Sequence, residues 1–423
     1  MTNAIAVVKE MQITELYGKL MWGCTTLLLV MFSVLKIPYG GLVLAAMLGM
    51  IILLYAAQHH MKIGICFTYY HAYMALLACF IAASSVWAIE PAYAVRRVKP
   101  LVETLIAMVA IYSCYRDENG ADQILKALMW RGYLVLLYIV MRYGYGTIVN
   151  MLKNDMRIDS EILNANTIGI MASYSIIINF YYILKRKKIK LLDILIIPAF
   201  LILAVSGSRK GLVLAGGGVF AVFILKGWNS KRIAISIIRV LFLVVILCIA
   251  GYFVLRLPFM TGILKRMNDL FLLLTGRGGK GQSGFLRFEY FKLGMKLFKE
   301  HPIIGIGMDN ARLFTLPLYG YDHYLHNNYV ELLADGGIVG TAFYYWIYLY
   351  LLYSFLKFRK YRDGEYDICF VLMICALVME YGMVTYESRE TYYMLLLFCL
   401  EIDKIKEKAK CPGINKNTAA AVG

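Results

Sequence analysis

One polar motif in this 423-residue sequence could bind an anion. In Ser206-Gly-Ser-Arg-Lys-Gly211, Arg209 lies in a tight turn between two apolar runs. The planar fork of arginine donates two parallel hydrogen bonds to a phosphate group. We predict that Arg209 binds an anionic headgroup, such as a diphosphate, where the apolar runs end. The alternative is a simple hairpin turn whose cations anchor it at an interface.

A second motif, Asp322-His-Tyr-Leu-His-Asn-Asn-Tyr-Val-Glu331, runs directly into another apolar segment. His326 lies within one turn of the predicted helix start, where a neutral imidazole could take a proton from an attacking sugar hydroxyl. His323 could serve instead. A structural alternative is that the two histidines cap the helix together with Asn327 and Asn328. The motif contains neither HExxH nor a third metal ligand nearby, so we predict no zinc site.

The elements that must position these motifs are apolar. The sequence is 61% hydrophobic and 17% charged, and its apolar runs approach the roughly 20 residues that cross a bilayer. We predict an all-α, polytopic membrane protein with about twelve transmembrane helices. The predicted spans are 20–35, 40–57, 66–89, 100–115, 127–143, 164–184, 191–206, 210–225, 236–257, 330–356, 368–385 and 391–402.

Basic residues fix the predicted orientation. They cluster at Arg116/Lys126, Lys185–Lys190, Lys226/Lys231/Arg232, Lys357/Arg359/Lys360/Arg362 and Lys404–Lys410. With twelve spans all these clusters lie on one side, which the positive-inside rule makes the cytoplasm, and both termini lie there too. The net charge of +17 therefore serves topology and anionic lipid headgroups, and we predict no nucleic-acid partner.

This orientation leaves one long extracytoplasmic loop, at 258–329. We divide the chain into helices one to nine (1–257), this loop, helices ten to twelve (330–402) and a basic cytoplasmic tail (403–423). Aromatic residues and leucines at helical spacing predict an amphipathic helix from Phe285 to Phe298, ended by the His301-Pro302 step.

Arginine and lysine are unexpectedly frequent on the predicted external side. These residues are Arg96, Arg97, Lys99, Arg157, Arg209, Lys210, Arg266, Arg277, Arg287, Arg312 and Arg389. Any one of them could be a solvated side chain. For the whole set we favour an anionic ligand bound on that side.

Several sequence pieces, each weak alone, follow one another in order across most of the chain. They are Ser84-Ser-Val-Trp-Ala-Ile-Glu-Pro91, Asn164-Ala-Asn-Thr-Ile-Gly169, Ser206-Gly-Ser-Arg209, Arg287 followed by Glu300-His-Pro-Ile-Ile-Gly-Ile-Gly307, and His326-Asn-Asn-Tyr-Val-Glu-Leu-Leu-Ala-Asp-Gly-Gly-Ile-Val-Gly340. In this order the chain resembles the O-antigen ligase and polysaccharide repeat-unit polymerase superfamily of bacterial envelope glycosyltransferases.

The resemblance implies a GT-C-like, metal-independent, inverting glycosyltransferase without a cofactor in the bacterial cytoplasmic (inner) membrane. Its donor would be an undecaprenyl-diphosphate-linked glycan, and its acceptor a glycan or a lipid-linked unit. Arg209 and Arg287 would clamp the diphosphate and His326 would activate the acceptor hydroxyl, on the extracytoplasmic side. We add His323, Arg157, Arg389 and Asn327 as supporting candidates. A flippase and a chain-length regulator are expected partners.

Two members of the superfamily differ in acceptor. A polymerase uses a second lipid-linked repeat unit, and a ligase uses a lipid A-core. We favour the polymerase. A lipid-linked oligosaccharide flippase is the alternative from another class, but it should bury charge within its spans and show two similar halves. The long loop should bring Arg287 and His326 over the turn that holds Arg209.

Overall fold

The fold is described from a computed structural model. It describes residues 2–34, 40–61, 64–117, 119–154, 164–227, 283–320 and 322–410, with isolated positions between 235 and 256. Every regular element in these ranges is helical, as predicted.

The first half of the chain forms nine helices within the described ranges. They are α1 (Thr2–Val34), α2 (Gly40–Gln58), α3 (Tyr69–Ser84), α4 (Pro91–Cys114), α5 (Gly120–Tyr143), α6 (Tyr145–Lys153), α7 (Ala165–Arg186), α8 (Ile196–Ser206), which a 3₁₀ turn at Leu191–Leu195 precedes, and α9 (Arg209–Gly227).

The second half begins with the predicted amphipathic helix. Its elements are α10 (Ser283–Glu300), a 3₁₀ turn (Ala311–Phe314), α11 (Thr315–Tyr319), α12 (Asn328–Lys357), a 3₁₀ turn (Arg359–Tyr361), α13 (Tyr366–Glu380) and α14 (Arg389–Lys410). Helix α10 ends directly before His301-Pro302, which confirms the prediction for this stretch.

Several helices have the length and composition of membrane spans. Four described helices qualify, at Gly41–Gln58, Gly120–Tyr143, Ala165–Arg186 and Asn328–Lys357, and two shorter helices, at Tyr69–Ser84 and Leu191–Ser206, are also apolar. Outward-facing residues such as Leu42, Leu53 and Ile106 are exposed, which is typical of helices that face lipid. The count of twelve spans stays a prediction.

Helix boundaries differ from the prediction at two external segments. Glu90 caps α4 by accepting from the Ala92 N–H (3.4 Å), and Pro91 occupies the first helical turn, where a missing N–H costs nothing. The stretch between the predicted spans 66–89 and 100–115 is therefore helical from Pro91, and Arg96 and Arg97 lie on α4. The stretch between the predicted spans 127–143 and 164–184 likewise contains α6.

Helix α14 lies at the centre of the bundle. Every residue from Thr391 to Ile402 is buried, so this helix is covered on all sides. It also continues to Lys410, beyond the predicted start of the polar tail at 403.

The predicted basic clusters meet at one end of the bundle. A cavity of about 1540 Å³ there is lined by members of all of them, including Arg116, Lys126, Lys185, Lys226, Arg362 and Lys404. Ion pairs neutralise part of this charge, such as Lys185 with Glu365 at 2.5 Å. Glu365 directly precedes α13, whereas Asn328 at the start of α12 contacts Glu380 at the end of α13 (3.2 Å). The basic end therefore lies a full helix away from the start of α12.

Helix α12 is broken at Gly337, whose φ of 61° and ψ of −161° are not helical. The segment after α10 docks into the break through backbone hydrogen bonds. The N–H groups of Ile306 and Gly307 donate to the carbonyls of Ala334 and Asp335 (3.1 and 2.9 Å), while those of Ile338 and Val339 donate to Pro302 and Ile303 (2.9 and 3.0 Å). We call this arrangement the interlock.

Glycine is required where the two backbones of the interlock meet. A Cβ on Gly337 would lie 2.4 Å from the carbonyl of Ile303, and one on Gly305 would lie 2.4 Å from that of Asp335. Both glycines also have positive φ, which favours glycine over other residues.

The motif at 84–91 packs against the other side of the same segment. Trp87 Nε1 donates to the Ile304 carbonyl (3.1 Å), and the Ile89 N–H donates to that of Ile306 (3.2 Å). Three of the sequence pieces that carry the resemblance thus form one hydrogen-bonded unit next to the start of α12.

Candidate functional site

His326 lies in the turn directly before α12, surrounded by aromatic rings. Ring centroids lie 4.5 Å away for His323, 4.5 Å for Tyr324 and 5.9 Å for Tyr290. Its φ is 60°, a left-handed conformation that costs a side-chain-bearing residue about 1 kcal/mol or more. A strained residue must be held by its surroundings, which makes this turn a candidate site.

The surroundings keep the imidazole of His326 neutral. Burial, followed by the positive charges of His323, Arg287 and Lys210, lowers its pKa to about 3. A neutral ring nitrogen can accept a hydrogen bond from an attacking hydroxyl, but an imidazole with so low a pKa is a weak base. The negative charge of a bound diphosphate would raise this pKa toward the range that a general base needs.

Cations from two different helices act on this imidazole. Arg287 lies in the first turns of α10, where burial lowers its pKa. Lys210 is the second residue of α9, and its Nζ donates to the backbone carbonyl of Gly382 after α13. A phosphate near His326 would therefore be attracted by positive charge from both α9 and α10.

Arg209 is the first residue of α9 and is half-buried. Its neighbour Lys210 was predicted only as one member of the external basic set, and its adjacency to Arg209 in the turn was the sequence signal for it.

Close packing fixes the start of α9 against α7. A Cβ on Gly169 would lie 2.5 Å from Ser208 Cβ, so only glycine allows this approach. Ser173 Oγ lies 2.6 Å from the carbonyl oxygens of both Gly169 and Gly211. The motifs at 164–169 and 206–209 thus pack against each other, and this packing positions the two cations of α9, Arg209 and Lys210.

The start of α12 is capped by asparagine and not by the histidines. Asn327 Oδ1 accepts from the Val330 N–H (3.2 Å), which makes Asn327 the N-cap. His323 Nδ1 instead lies 3.3 Å from the Tyr324 carbonyl. Of the residues considered as possible caps, Asn327 makes the N-cap hydrogen bond, and the two histidines do not.

Two other supporting candidates were predicted. Arg157 lies outside the described residues. Arg389 pairs with Glu103 of α4 at 2.8 Å and lies over the ring of Phe32. The structure thus gives Arg389 a contact between helices α14, α4 and α1.

Three predicted external arginines surround a buried carboxylate. Asp309 is fully buried, and it pairs with Arg96 (3.1 Å), Arg97 (2.7 Å) and Arg312 (2.6 Å). Glu387 also contacts Arg97, at 2.5 Å. We call these five residues the Asp309 cluster, and it ties the segment after α10 to α4 and to the turn before α14.

The cluster adjoins the His326 site through Tyr324. Burial, then the negative charges of Glu387 and Glu331, raises the pKa of the Tyr324 hydroxyl, whereas Arg287 and Arg312 act in the opposite sense. Cations of both groups therefore act on Tyr324.

Sequence reasoning missed the buried acidic residues that support the site. Asp335, to which no specific role was assigned, accepts from the N–H groups of Asp309 (3.0 Å) and Ala311 (2.7 Å). Glu331 Oε2 accepts from the Leu325 N–H at 2.6 Å. Glu380 is buried at the end of α13. An ionisable residue inside an apolar span is itself a signal, and it was present in the sequence.

The spans also hold a buried cation. Arg131 in α5 is 1% exposed and donates to Glu390 at 2.5 Å. Charge is therefore also buried within the bundle. Within the described ranges, no group of three or more His, Cys, Asp and Glu side chains is arranged to hold a metal ion.

Part of the chain matches a known protein family. Residues 194–345 match the family model described as O-Antigen ligase, a range that covers α8 to α11 and the broken first half of α12. This confirms the resemblance to the O-antigen ligase and repeat-unit polymerase superfamily. Among curated proteins no sequence match was found.

The match and the apolar helices together indicate an integral membrane protein with a ligase- or polymerase-type function. Such a function acts on lipid-linked glycans.

Proposed function

We propose that the protein is a membrane glycosyltransferase that polymerises undecaprenyl-diphosphate-linked oligosaccharide repeat units into a capsular polysaccharide, O-antigen or exopolysaccharide. One observation carries the proposal: the imidazole of His326 lies in the turn before α12, packed among the rings of Tyr290, His323 and Tyr324. The charges of Arg287 of α10 and Lys210 of α9 both act on it. The family match over 194–345 supports the same class of reaction.

The reaction needs a base and a site for negative charge. The acceptor hydroxyl oxygen attacks the anomeric carbon, the bond from that carbon to the diphosphate oxygen breaks, and the hydroxyl proton passes to His326. A single displacement inverts the anomeric centre. Undecaprenyl diphosphate leaves with the bonding electrons.

The cations stabilise the leaving group. Charge grows on the departing diphosphate, and preorganised cations in a poorly solvated site stabilise it strongly. We assign this role to Arg209 and Arg287, as the sequence predicts, and we add Lys210 because its charge reaches His326. His323, Asn327, Arg157 and Arg389 remain supporting candidates. No cofactor enters the reaction, and the lipid-linked donor supplies the bond energy.

The proposed orientation follows the charge distribution. The basic end of the bundle, with both termini, faces the cytoplasm of a bacterial inner membrane, and the His326 end faces outward. The proposed domain division is 1–257, 258–329, 330–402 and 403–423, with about twelve spans in a GT-C-like arrangement. A flippase and a chain-length regulator are proposed partners.

A ligase that transfers the glycan to a lipid A-core or another acceptor is the second candidate, because the family match carries the ligase description. A flippase is the third. The buried Arg131 is compatible with transport, but its contact with Glu390 occupies it within the bundle.

A gel assay separates the three candidates. Purified protein is incubated with lipid-linked repeat units, with or without an added acceptor. A ladder of products supports the polymerase, a single product on the added acceptor supports the ligase, and an unchanged glycan contradicts both. His326→Ala should abolish the product at normal protein levels, whereas the matched control His301→Ala, an exposed histidine after α10, should retain it. Normal polymer from His326→Ala would disprove the assigned base.

A further inference from the structure

Glu380, the last residue of α13, is buried among neutral hydrogen-bond donors. Glu380 is only 1% exposed. Five donors reach its two oxygens: Tyr344 (2.9 Å), Tyr345 (2.6 Å), Tyr348 (3.2 Å), Thr385 (2.8 Å) and Asn328 Nδ2 (3.2 Å).

A buried carboxylate is an energetically unfavourable group in a protein interior. Burying a carboxylate costs several kcal/mol, on the order of what its hydrogen bonds can return. An apolar side chain of similar size would pack there at lower cost. An apolar side chain could not, however, accept a hydrogen bond from the amide of Asn328. This contact connects Glu380 to the start of α12 and so to the His326 turn.

Asn328 joins this carboxylate to the turn that follows α13. Its Nδ2 donates to Glu380, and its Oδ1 accepts from the backbone N–H groups of Thr385 (2.9 Å) and Tyr386 (3.1 Å). The residue is fully buried. Asn328 is also the first residue of α12 and follows His326 by two positions.

The same turn also binds the cation of the site. Lys210 Nζ donates to the carbonyl of Gly382, which lies between Glu380 and Thr385. One short segment, residues 380–386, therefore holds both the start of α12, which directly follows the His326 turn, and the side chain of Lys210. We call it the α13–α14 turn.

Both sides of His326 are fixed in this way. Before it, the Leu325 N–H donates to the buried carboxylate of Glu331. After it, Asn328 is held by Glu380 and the α13–α14 turn. A strained φ of 60° persists only when neighbouring contacts determine it, and these contacts do so.

We propose that Glu380 and Asn328 are positioning residues, which set the imidazole of His326 relative to Lys210 through the α13–α14 turn. The inference rests on the proposed function of His326 as the base. A misplacement of about 1 Å can cost on the order of a hundredfold in rate, so these residues should affect turnover far more than substrate affinity.

The test compares Glu380→Gln and Asn328→Ala with the control Tyr366→Phe. The control removes a buried tyrosine hydrogen bond to the Phe355 carbonyl (2.6 Å), at the opposite ends of the same two helices. We expect kcat to fall at least about tenfold in both test variants with KM for the lipid-linked unit within about twofold, and the control to keep both values. Wild-type kcat in Glu380→Gln, or a change confined to KM, would overturn the proposal.

A milder variant covers the case in which these proteins fail to fold. Tyr348→Phe removes only one donor, at 3.2 Å, and should lower kcat by about two- to fivefold with KM unchanged. Wild-type kcat in Tyr348→Phe together with unfolded Glu380→Gln would assign Glu380 to stability alone and reject the positioning role.

A second measurement needs no glycan. Diethyl pyrocarbonate modifies neutral imidazoles, and mass spectrometry follows His326 and the exposed His301 separately. We expect the rate at His326 to change at least about threefold in Glu380→Gln and Asn328→Ala, with His301 unchanged, because the imidazole loses its fixed position. If wild-type protein shows no transfer activity but this change occurs, the proposed function fails and the positioning stands. An unchanged rate at His326 rejects the positioning.

Discussion

The ring of Tyr290 in α10 stacks on the imidazole of His326, with centroids 5.9 Å apart and planes inclined by 25°. Arg287 precedes Tyr290 by three residues, so the two side chains share one face of α10. Helix α10 therefore presents an aromatic ring and a guanidinium to His326 together, which an amphipathic helix lying free at the interface would not do.

Arg287→Ala should lower kcat/KM for the lipid-linked donor at least about a hundredfold, because a preorganised cation on the leaving diphosphate is lost. The kcat/KM of Arg287→Lys should lie between those of the wild type and Arg287→Ala, since lysine keeps the charge without the bidentate fork. The matched control is Lys296→Ala on the same helix, whose side chain is 73% exposed. Full activity in Arg287→Ala, measured by the gel ladder, would remove Arg287 from the site.

The pH dependence follows from the lowered pKa of His326. Since kcat/KM reports the free enzyme, it should show no acid limb near the ordinary histidine value of 6.5, and any limb from this residue should lie near pH 3. Arg287→Gln should raise this pKa, because it removes a nearby positive charge. A wild-type rate profile from pH 5 to 8 that titrates at 6.5, and that shifts in Arg287→Gln, would contradict the burial and charge described here.

Stability should depend on pH through the same group. Below 6.5 the unfolded chain binds a proton at this histidine that the folded protein excludes until about pH 3. Its contribution therefore disfavours folding as pH falls through that window and vanishes above 6.5. Thermal unfolding of His326→Gln should accordingly lose less stability than wild type between pH 7 and pH 5. An identical loss in both proteins would argue against the shift.

Gly337→Ala should destabilise the protein by about 3 kcal/mol or more, because the new Cβ would meet the Ile303 carbonyl within the interlock. Gly320→Ala is the matched control. Gly320 also has a positive φ, of 81°, but nothing lies within 4 Å of its Cβ position, so only the conformational cost of about 1 kcal/mol applies. Denaturant unfolding in detergent measures both. Equal effects would mean that the interlock does not require the close approach.

Asp309→Ala should lower the free energy of unfolding by at least about 2 kcal/mol, because three arginines lose the buried carboxylate that accepts their hydrogen bonds. The control, Glu289→Ala, breaks an ion pair within α10 whose side chains are 57% (Lys292) and 28% (Glu289) exposed, and it should change the free energy of unfolding by less than about 1 kcal/mol. If Asp309→Ala unfolds like wild type, the Asp309 cluster does not fasten the segment after α10 to α4.

The helices themselves were largely predictable, because apolar runs and helical spacing depend on residues near in sequence. The amphipathic stretch at 285–298 appears as α10, and the span at 391–402 corresponds to the buried part of α14. The break in α12 was not predicted, since an apolar run of residues gives no sign that its backbone bonds to a distant segment. Only Gly336-Gly337 marks the position.

The candidate site was predicted in part for the same reason. His326 and Arg287 are distinctive in type and setting, so they could be selected from the sequence. Lys210 was not singled out, because the neighbouring Arg209 can donate two hydrogen bonds to a phosphate and was the stronger candidate. The roles of Asn328 and Glu380 depend on contacts across 52 residues of chain, which no local pattern encodes.

The interlock is made by backbone groups, so it constrains composition very little outside its glycines. Side chains between 302 and 307, or between 334 and 339, can be exchanged for others of suitable size without losing any of its four hydrogen bonds. A backbone arrangement of this kind can be kept while the side chains of neighbouring elements, such as those of α11, diverge. New sugar preferences can then arise without rebuilding the part of the protein that breaks and forms bonds.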